Sequence, residues 1–305
     1  MAFLLALLFA TTVVVPKNVI LVKGATPAAS DPSTPVPEQG HIGDGQYRNA
    51  YFGLTYPIPA GWSEQPAGPP PSDGGAYTLA QFAVFDATRQ RVVANVLVSA
   101  QDLFFSALRA DNAQELVTAL RPGVATSYEL EEGPRETTIA GRTFYRLTYR
   151  ARHAPLHWRV LATDARCHAL TFTFTGTDTG VLDAAEEAMS ALTLPDPAKV
   201  PPCVRDYAGG ANVVARTEPV IPTHRYNAIP VRVVIGRDGS VKHVHLLSAF
   251  PEQSSAIIDA LMEWKFKPYL RDGKPVPVET GLMFGAPLPM SSRPRGRDLG
   301  AGAAP

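Results

Sequence analysis

Apolar residues run almost unbroken from Phe3 to Val15 and stop at Pro16 and Lys17. The run is shorter than the roughly 20 residues a membrane helix needs and matches the core of an export signal. Small residues at Thr26, Ala28 and Ala29 offer a cleavage point, so residues 1–29 read as a signal peptide. No Lys or Arg precedes Val15. Retention of residues 3–22 as an anchor is therefore the competing reading. Residues 30–45 mix Pro, Ser and Gly without an apolar period, which predicts a flexible linker.

From residue 46 the pattern becomes regular. Tyr51–Pro57 alternates and turns at Pro59-Ala60-Gly61 into Trp62, and Gln81–Phe85 with Arg91–Val98 forms a hairpin around a polar turn. Ala113, Leu116, Val117 and Leu120 carry helical spacing, with Asp111 or Asn112 as the cap. Alternating stretches follow at Glu136–Ile139, Arg142–Arg150, His157–Thr163 and His168–Thr175, then a second helical stretch at Val181–Leu192. Consecutive hairpins predict a mostly antiparallel sheet with helices packed on it, spanning residues 46–196.

Residues 197–286 form a second unit after the Pro-rich stretch Leu194–Pro202. The prolines of Arg216–Pro222 forbid helix there. Ile229–Ile235 and Ser240–Leu247 pair across Arg237-Asp238-Gly239. Ile257, Ile258, Leu261 and Trp264 then line one helical stripe, and Val276–Phe284 is the last strand. The order is β-β-α-β, so the fold class is α+β. Residues 287–305 hold little to bury and read as a disordered tail.

Two resemblances attach to these units. YFGLTYPIPAGW, the Gly141–Phe144 entry to a strand, HWRVLATDARCHALTFTFTG and a final helix resemble the PsbP-like fold, which implies an α/β/α sandwich for residues 46–196. EPVIP, IPVRVVIGRDGSVKHVHLLSAF and AIIDALMEWKFKPYLRDGKPVPVETGLMF resemble the TonB C-terminal domain over residues of about 213–286. That family binds periplasmic segments of outer-membrane transporters, and its last strand can accept a peptide by edge pairing. The resemblance implies that Val276, Val278, Thr280, Leu282 and Phe284 form a strand-accepting edge whose partners are outer-membrane or other envelope proteins. A working energy transducer of that family also has a membrane helix and a long Pro-rich spacer. Here a folded domain stands in the spacer's place, so the expected function is a periplasmic adaptor. An inner-membrane-anchored transducer supporting transport is the alternative, and small-ligand binding by the first domain is a third.

Composition narrows the chemistry. With 28 basic and 28 acidic residues, the chain has no electrostatic footprint for nucleic acid or an anionic membrane surface. The two cysteines, Cys167 and Cys203, pair in an oxidising compartment or stay as separate buried thiols; a bond would contribute on the order of 3–4 kcal/mol through loop closure. His243 and His245 share a strand face and, with His224, make the best metal candidate, although two exposed polar strand residues explain them more simply. His153 and His157 flank Pro155 and read as loop residues, Glu131-Glu132 as a solvated turn, and Ser254-Ser255 as solvated first-turn residues. Trp62, Tyr51, Phe52 and Trp158 read as sheet core before ligand groove. No catalytic motif, metal site or cofactor loop stands out, and no enzyme is expected.

Overall fold

The computed structural model describes residues 24–285 apart from 66, 67, 70, 89, 90, 109 and 222–226. The apolar run Phe3–Val15, His224 and the tail 287–305 lie outside the described residues. No helix among those described is long and apolar enough to cross a membrane.

Residues 30–45, expected to be a linker, are built into the fold. Strand β1 (Thr26–Ala29), inside the stretch 1–29 read as a signal peptide, precedes them and pairs within the fold, so the ordered chain begins before the expected boundary at 29; β2 (Gly40–Gly43), β3 (Gln46–Asn49) and β4 (Leu54–Pro57) make an antiparallel meander. Between β1 and β2, Val36 is buried and the amide of buried Asn49 donates to the Pro37 carbonyl at 2.7 Å. Two adjacent buried residues, Val36 and Pro37, and a few hydrogen bonds make no apolar period, so the pattern does not predict this order.

A seven-stranded antiparallel sheet follows, with order β5-β6-β7-β11-β10-β9-β8. Its strands are β5 (Trp62–Glu64), β6 (Ala76–Asp86), β7 (Arg91–Asp102), β8 (Glu129–Ile139), β9 (Arg142–Arg150), β10 (His157–Ala165) and β11 (His168–Gly176). Helix α1 (Ala113–Ser127) crosses from β7 to β8 and buries Leu116 and Val117 against Leu147 and Val160. Asn112 caps it by accepting from the Glu115 amide, and the helix continues through Pro122 beyond the predicted Leu120. On the other face, Phe82, Val96, Leu161, Phe172 and Phe174 pack against the β2–β4 meander and α2 (Thr179–Glu187). Helices and meander cover both faces of a mostly antiparallel sheet.

The second unit has β12 (Val213–Ala215), β13 (Ile229–Ile235), β14 (Val241–Ala249), α3 (Pro251–Glu263), the short strands β15 (Lys265–Phe266), β16 (Leu270–Arg271) and β17 (Lys274–Pro275), and β18 (Val278–Phe284). Its main sheet runs β1-β14-β13-β18, so β1, the first strand among the described residues, occupies the β14 side. Pro27 in β1 falls where the register shifts, as a proline in a border strand does. The hairpin turn needs Gly239, whose φ is +75°; a Cβ there would lie 1.9 Å from the Phe266 carbonyl oxygen. Ile257, Leu261 and Trp264 of the α3 region bury one sheet face with Val231, Val233, Val244, Leu246 and Val278. Alternation turns Arg232, His243, His245, Leu247 and Glu279 to the opposite face, where Leu247 joins the core of the first unit.

Candidate functional site

The expected strand-accepting edge is partly closed. β18 borders its sheet, pairing with β13 from Ile229↔Phe284 to Ile235↔Val278. On its outer side the Glu279 amide donates to Pro202 at 2.9 Å, and the Glu279 carbonyl accepts from Val204 at 3.0 Å. The Thr280 hydroxyl donates to the Arg205 carbonyl at 3.1 Å. Strand alternation therefore aims the backbone groups of Glu279, Gly281 and Met283 outward and those of Val278, Thr280, Leu282 and Phe284 at β13. Among the described residues no hydrogen bond reaches the outward groups of Gly281 and Met283, so the unpaired edge is Gly281–Phe284.

The named edge residues fare differently. Val276 precedes β18 and its amide donates to Tyr269 at 3.0 Å. Val278 and Thr280 are fully buried, while Leu282 and Phe284 pack half-buried against the α3 core. Beside the unpaired stretch lie half-buried Phe104 and Phe105, close enough that a Cβ on Gly281 would stand 2.9 Å from that of Phe104. Met283 is 48% exposed.

Above Glu279 sits a buried ionic quartet joining the two units. Arg232 donates to Asp102 at 2.5 Å and to Glu279 at 2.8 Å. Arg166 pairs with the other Glu279 oxygen, donates to the Tyr51 carbonyl at 2.8 Å and lies over the Tyr51 ring at 4.0 Å. Burial works against the Arg232 charge, but Asp102, Tyr51, Glu279 and Tyr77 outweigh it and hold its pKa well above the ordinary value. Two cations and two anions balance, so each charge already has its partner. The quartet fastens the units together and exposes no unpaired acid or base.

His168 is enclosed beside the quartet by the edges of Tyr51, Phe52 and Tyr77. Its Nδ1 lies 2.6 Å from the Arg166 carbonyl and so donates, leaving Nε2 3.7 Å from Asp102. Burial, with Arg232 adding to it, pushes its pKa well below the usual histidine range. The turn that carries Arg166 and Cys167 is itself unusual. Both have left-handed backbone, φ +44° and +62°, where a two-residue hairpin ordinarily uses Asn-Gly. Each non-glycine residue there costs roughly 1–2 kcal/mol, offset by the ion pair of Arg166 and by a Cys167–Cys203 disulfide with Cα atoms 5.4 Å apart.

His243 and His245 do share a face, but it is buried against the first unit, which corrects the expectation of exposed residues. His245 Nε2 meets Glu38 at 3.0 Å. Among the described residues no group of three or more potential ligands surrounds a metal position. Glu131 and Glu132 belong to β8 rather than a turn, pairing with His157 and with Arg135 and Arg146. His157 begins β10. Ser254 is buried and, like Ser255, donates to the Pro251 carbonyl. Tyr51 and Phe52 lie at the junction, whereas Trp158 stacks on Tyr149 on the α1 face and Trp62 packs at β5, so these aromatics form no shared groove. A cavity of about 320 Å³ does open at the junction, lined by Phe52, Arg142, Pro195, Pro202 and both cysteines. Arg142 within it is committed to the Pro195 and Asp164 carbonyls.

The quartet is not among the candidates read from the sequence above. Its signal was present: Arg232 interrupts the otherwise apolar Ile229–Ile235, Glu279 is the one charged residue of Val278–Phe284, and Asp102 closes the uncharged run Val92–Gln101. A charge inside such a strand needs a buried partner.

No family model matches the chain, and no curated protein matches it. Among solved structures, the solution structure of cyanobacterial PsbP (CyanoP) from Synechocystis sp. PCC 6803 is 16% identical, with 52% of this chain and 97% of that chain covered and a TM-score of 0.36. A crystal structure from Bacteroides thetaiotaomicron VPI-5482 is 15% identical over 55% of this chain and 52% of that one, with a TM-score of 0.26. Neither assigns a function.

Proposed function

We propose that this chain is an exported, periplasmic adaptor that captures an extended segment of an envelope protein by strand addition along Gly281–Phe284. In this reading residues 46–196 are a PsbP-like unit, and residues 197–286 are a contact unit of TonB C-terminal type. The carrying observation is the unpaired outer backbone of Gly281 and Met283 on a strand fixed from its other side by β13. Main-chain groups of this kind supply the affinity of strand addition, and Met283 with the nearby Phe104 and Phe105 supplies apolar contact. The β13-β14-α3-β18 order and the Trp264-Phe266-Pro268 exit from α3 support the family reading of this unit. The Phe3–Val15 run and the Cys167–Cys203 disulfide support an oxidising compartment.

The discriminating substitution is Met283→Pro, which deletes an outward donor, whereas proline at Thr280 or Leu282 would break the β13 ladder itself. Immobilised Met283→Pro protein should lose the envelope proteins retained by the parent chain and by Met283→Ala. Equal retention by a folded Met283→Pro chain would overturn strand capture.

A further inference from the structure

From Thr193 to Asp206 no residue is buried. Its last part, Pro202–Arg205, nevertheless lies along β18 as a strand would, with Cys203 opposite Glu279 in parallel sense. The contacts are the two Glu279 backbone bonds and the Thr280–Arg205 bond. Beneath it Val204 packs half-buried against the core of the second unit, and upstream the junction cavity is walled by Pro197, Val200, Pro201 and Pro202. Downstream, Arg205 is anchored to Asp111 at 2.6 Å and to the Phe104 and Ala110 carbonyls. Upstream of that anchor the tether at the strand is covalent, the bond from exposed Cys203 to buried Cys167.

We propose that residues 200–204 are a built-in stand-in for the captured strand, latched over the first half of β18 by the Cys167–Cys203 disulfide, and that a dithiol reductant opens the latch. The proposal rests on β18 being the strand-accepting edge. A thiolate of the dithiol attacks the sulfur of Cys203, the exposed residue of the pair; the S–S bond breaks and Cys167 leaves as a thiolate that takes a proton. The second thiol of the reductant then displaces Cys203, which is protonated in turn, and the reductant becomes a cyclic disulfide. Two electrons pass to the protein. β18 stays in place, because Glu279 remains held by Arg166 and Arg232 and the strand remains paired with β13. The open edge then extends from Gly281–Phe284 back to Glu279.

Residue-resolved hydrogen exchange on the full chain tests this, comparing the oxidised protein with dithiothreitol-treated protein and with a Cys167→Ala/Cys203→Ala variant. The Glu279 and Val204 amides should exchange at least about tenfold faster in both reduced forms while the amides of β13 keep their protection. Unchanged Glu279 exchange in the dithiothreitol-treated protein would overturn the latch. So would loss of protection across β13 and β14 alike, which would make the disulfide a staple of the whole fold. A labelled peptide of residues 200–206 carrying Cys203→Ser reads the edge separately and should bind the reduced chain but not the oxidised one. If Glu279 becomes labile and the peptide still fails to bind, the latch stands and strand capture falls.

Discussion

At the scale of single residues, His168 is the clearest titrating group. It is wholly buried among Tyr51, Phe52 and Tyr77, and its depressed pKa means that the folded chain resists a proton which the unfolded chain accepts near pH 6.5. Its neutral state therefore stabilises the fold above that pH, and the contribution is lost as pH falls below it. The penalty grows by up to about 1.4 kcal/mol per pH unit until the folded form also protonates. His243 is shifted the same way, by burial first and by His245 second, and adds to the same trend. Melting temperature should drop between pH 7 and pH 5, and His168→Gln should flatten that slope. An unchanged slope would show that His168 does not titrate in this window.

Among elements, helix α1 gives a measurable local term. Asn112 accepts from the Glu115 amide at 2.8 Å, while the Glu115 carboxylate accepts from Asp111 and Asn112. Asn112→Ala should cost about 1 kcal/mol in chemical denaturation, and Asn112→Asp much less. The helices and hairpins were readable from the chain because each is decided by neighbours a few residues apart. Helix α1 outran its predicted end at Leu120 because its continuation is fixed by packing of Val124 against the sheet. β1 was not readable, since Thr26–Ala29 is ordered by pairing with Ala249, Leu246 and His245 more than 200 positions away. The cover on β18 escaped notice for the same reason: Pro202 and Val204 meet Glu279 across a gap that only the tertiary fold closes. An edge can be predicted from strand order, but whether something already lies on it cannot.

For the whole molecule, the question is how the two units are joined. The face of the second sheet that carries Arg232 and Glu279 is buried on the first unit, and Leu247 sits in that unit's core. The disulfide spans a sequence separation of 36 and crosses the same junction. The two units should therefore unfold as one transition in calorimetry. Arg232→Ala leaves Asp102 buried without its cation and Glu279 with Arg166 alone, which should cost about 3–5 kcal/mol and split the transition in two. A single transition with unchanged midpoint in that variant would mean the quartet does not couple the units.

The sheet order β1-β14-β13-β18 carries a mechanical consequence. Thr26 lies opposite Ala249 and Phe284 opposite Ile229, which places the start of β1 and the finish of β18 at the same end of one sheet. With strands about 4.8 Å apart, the two exits are separated by roughly 14 Å. A tension applied between residues 24 and 285 would be borne by three strand–strand seams of the second sheet. The seven-stranded unit lies between those ends in the chain but outside that series of seams.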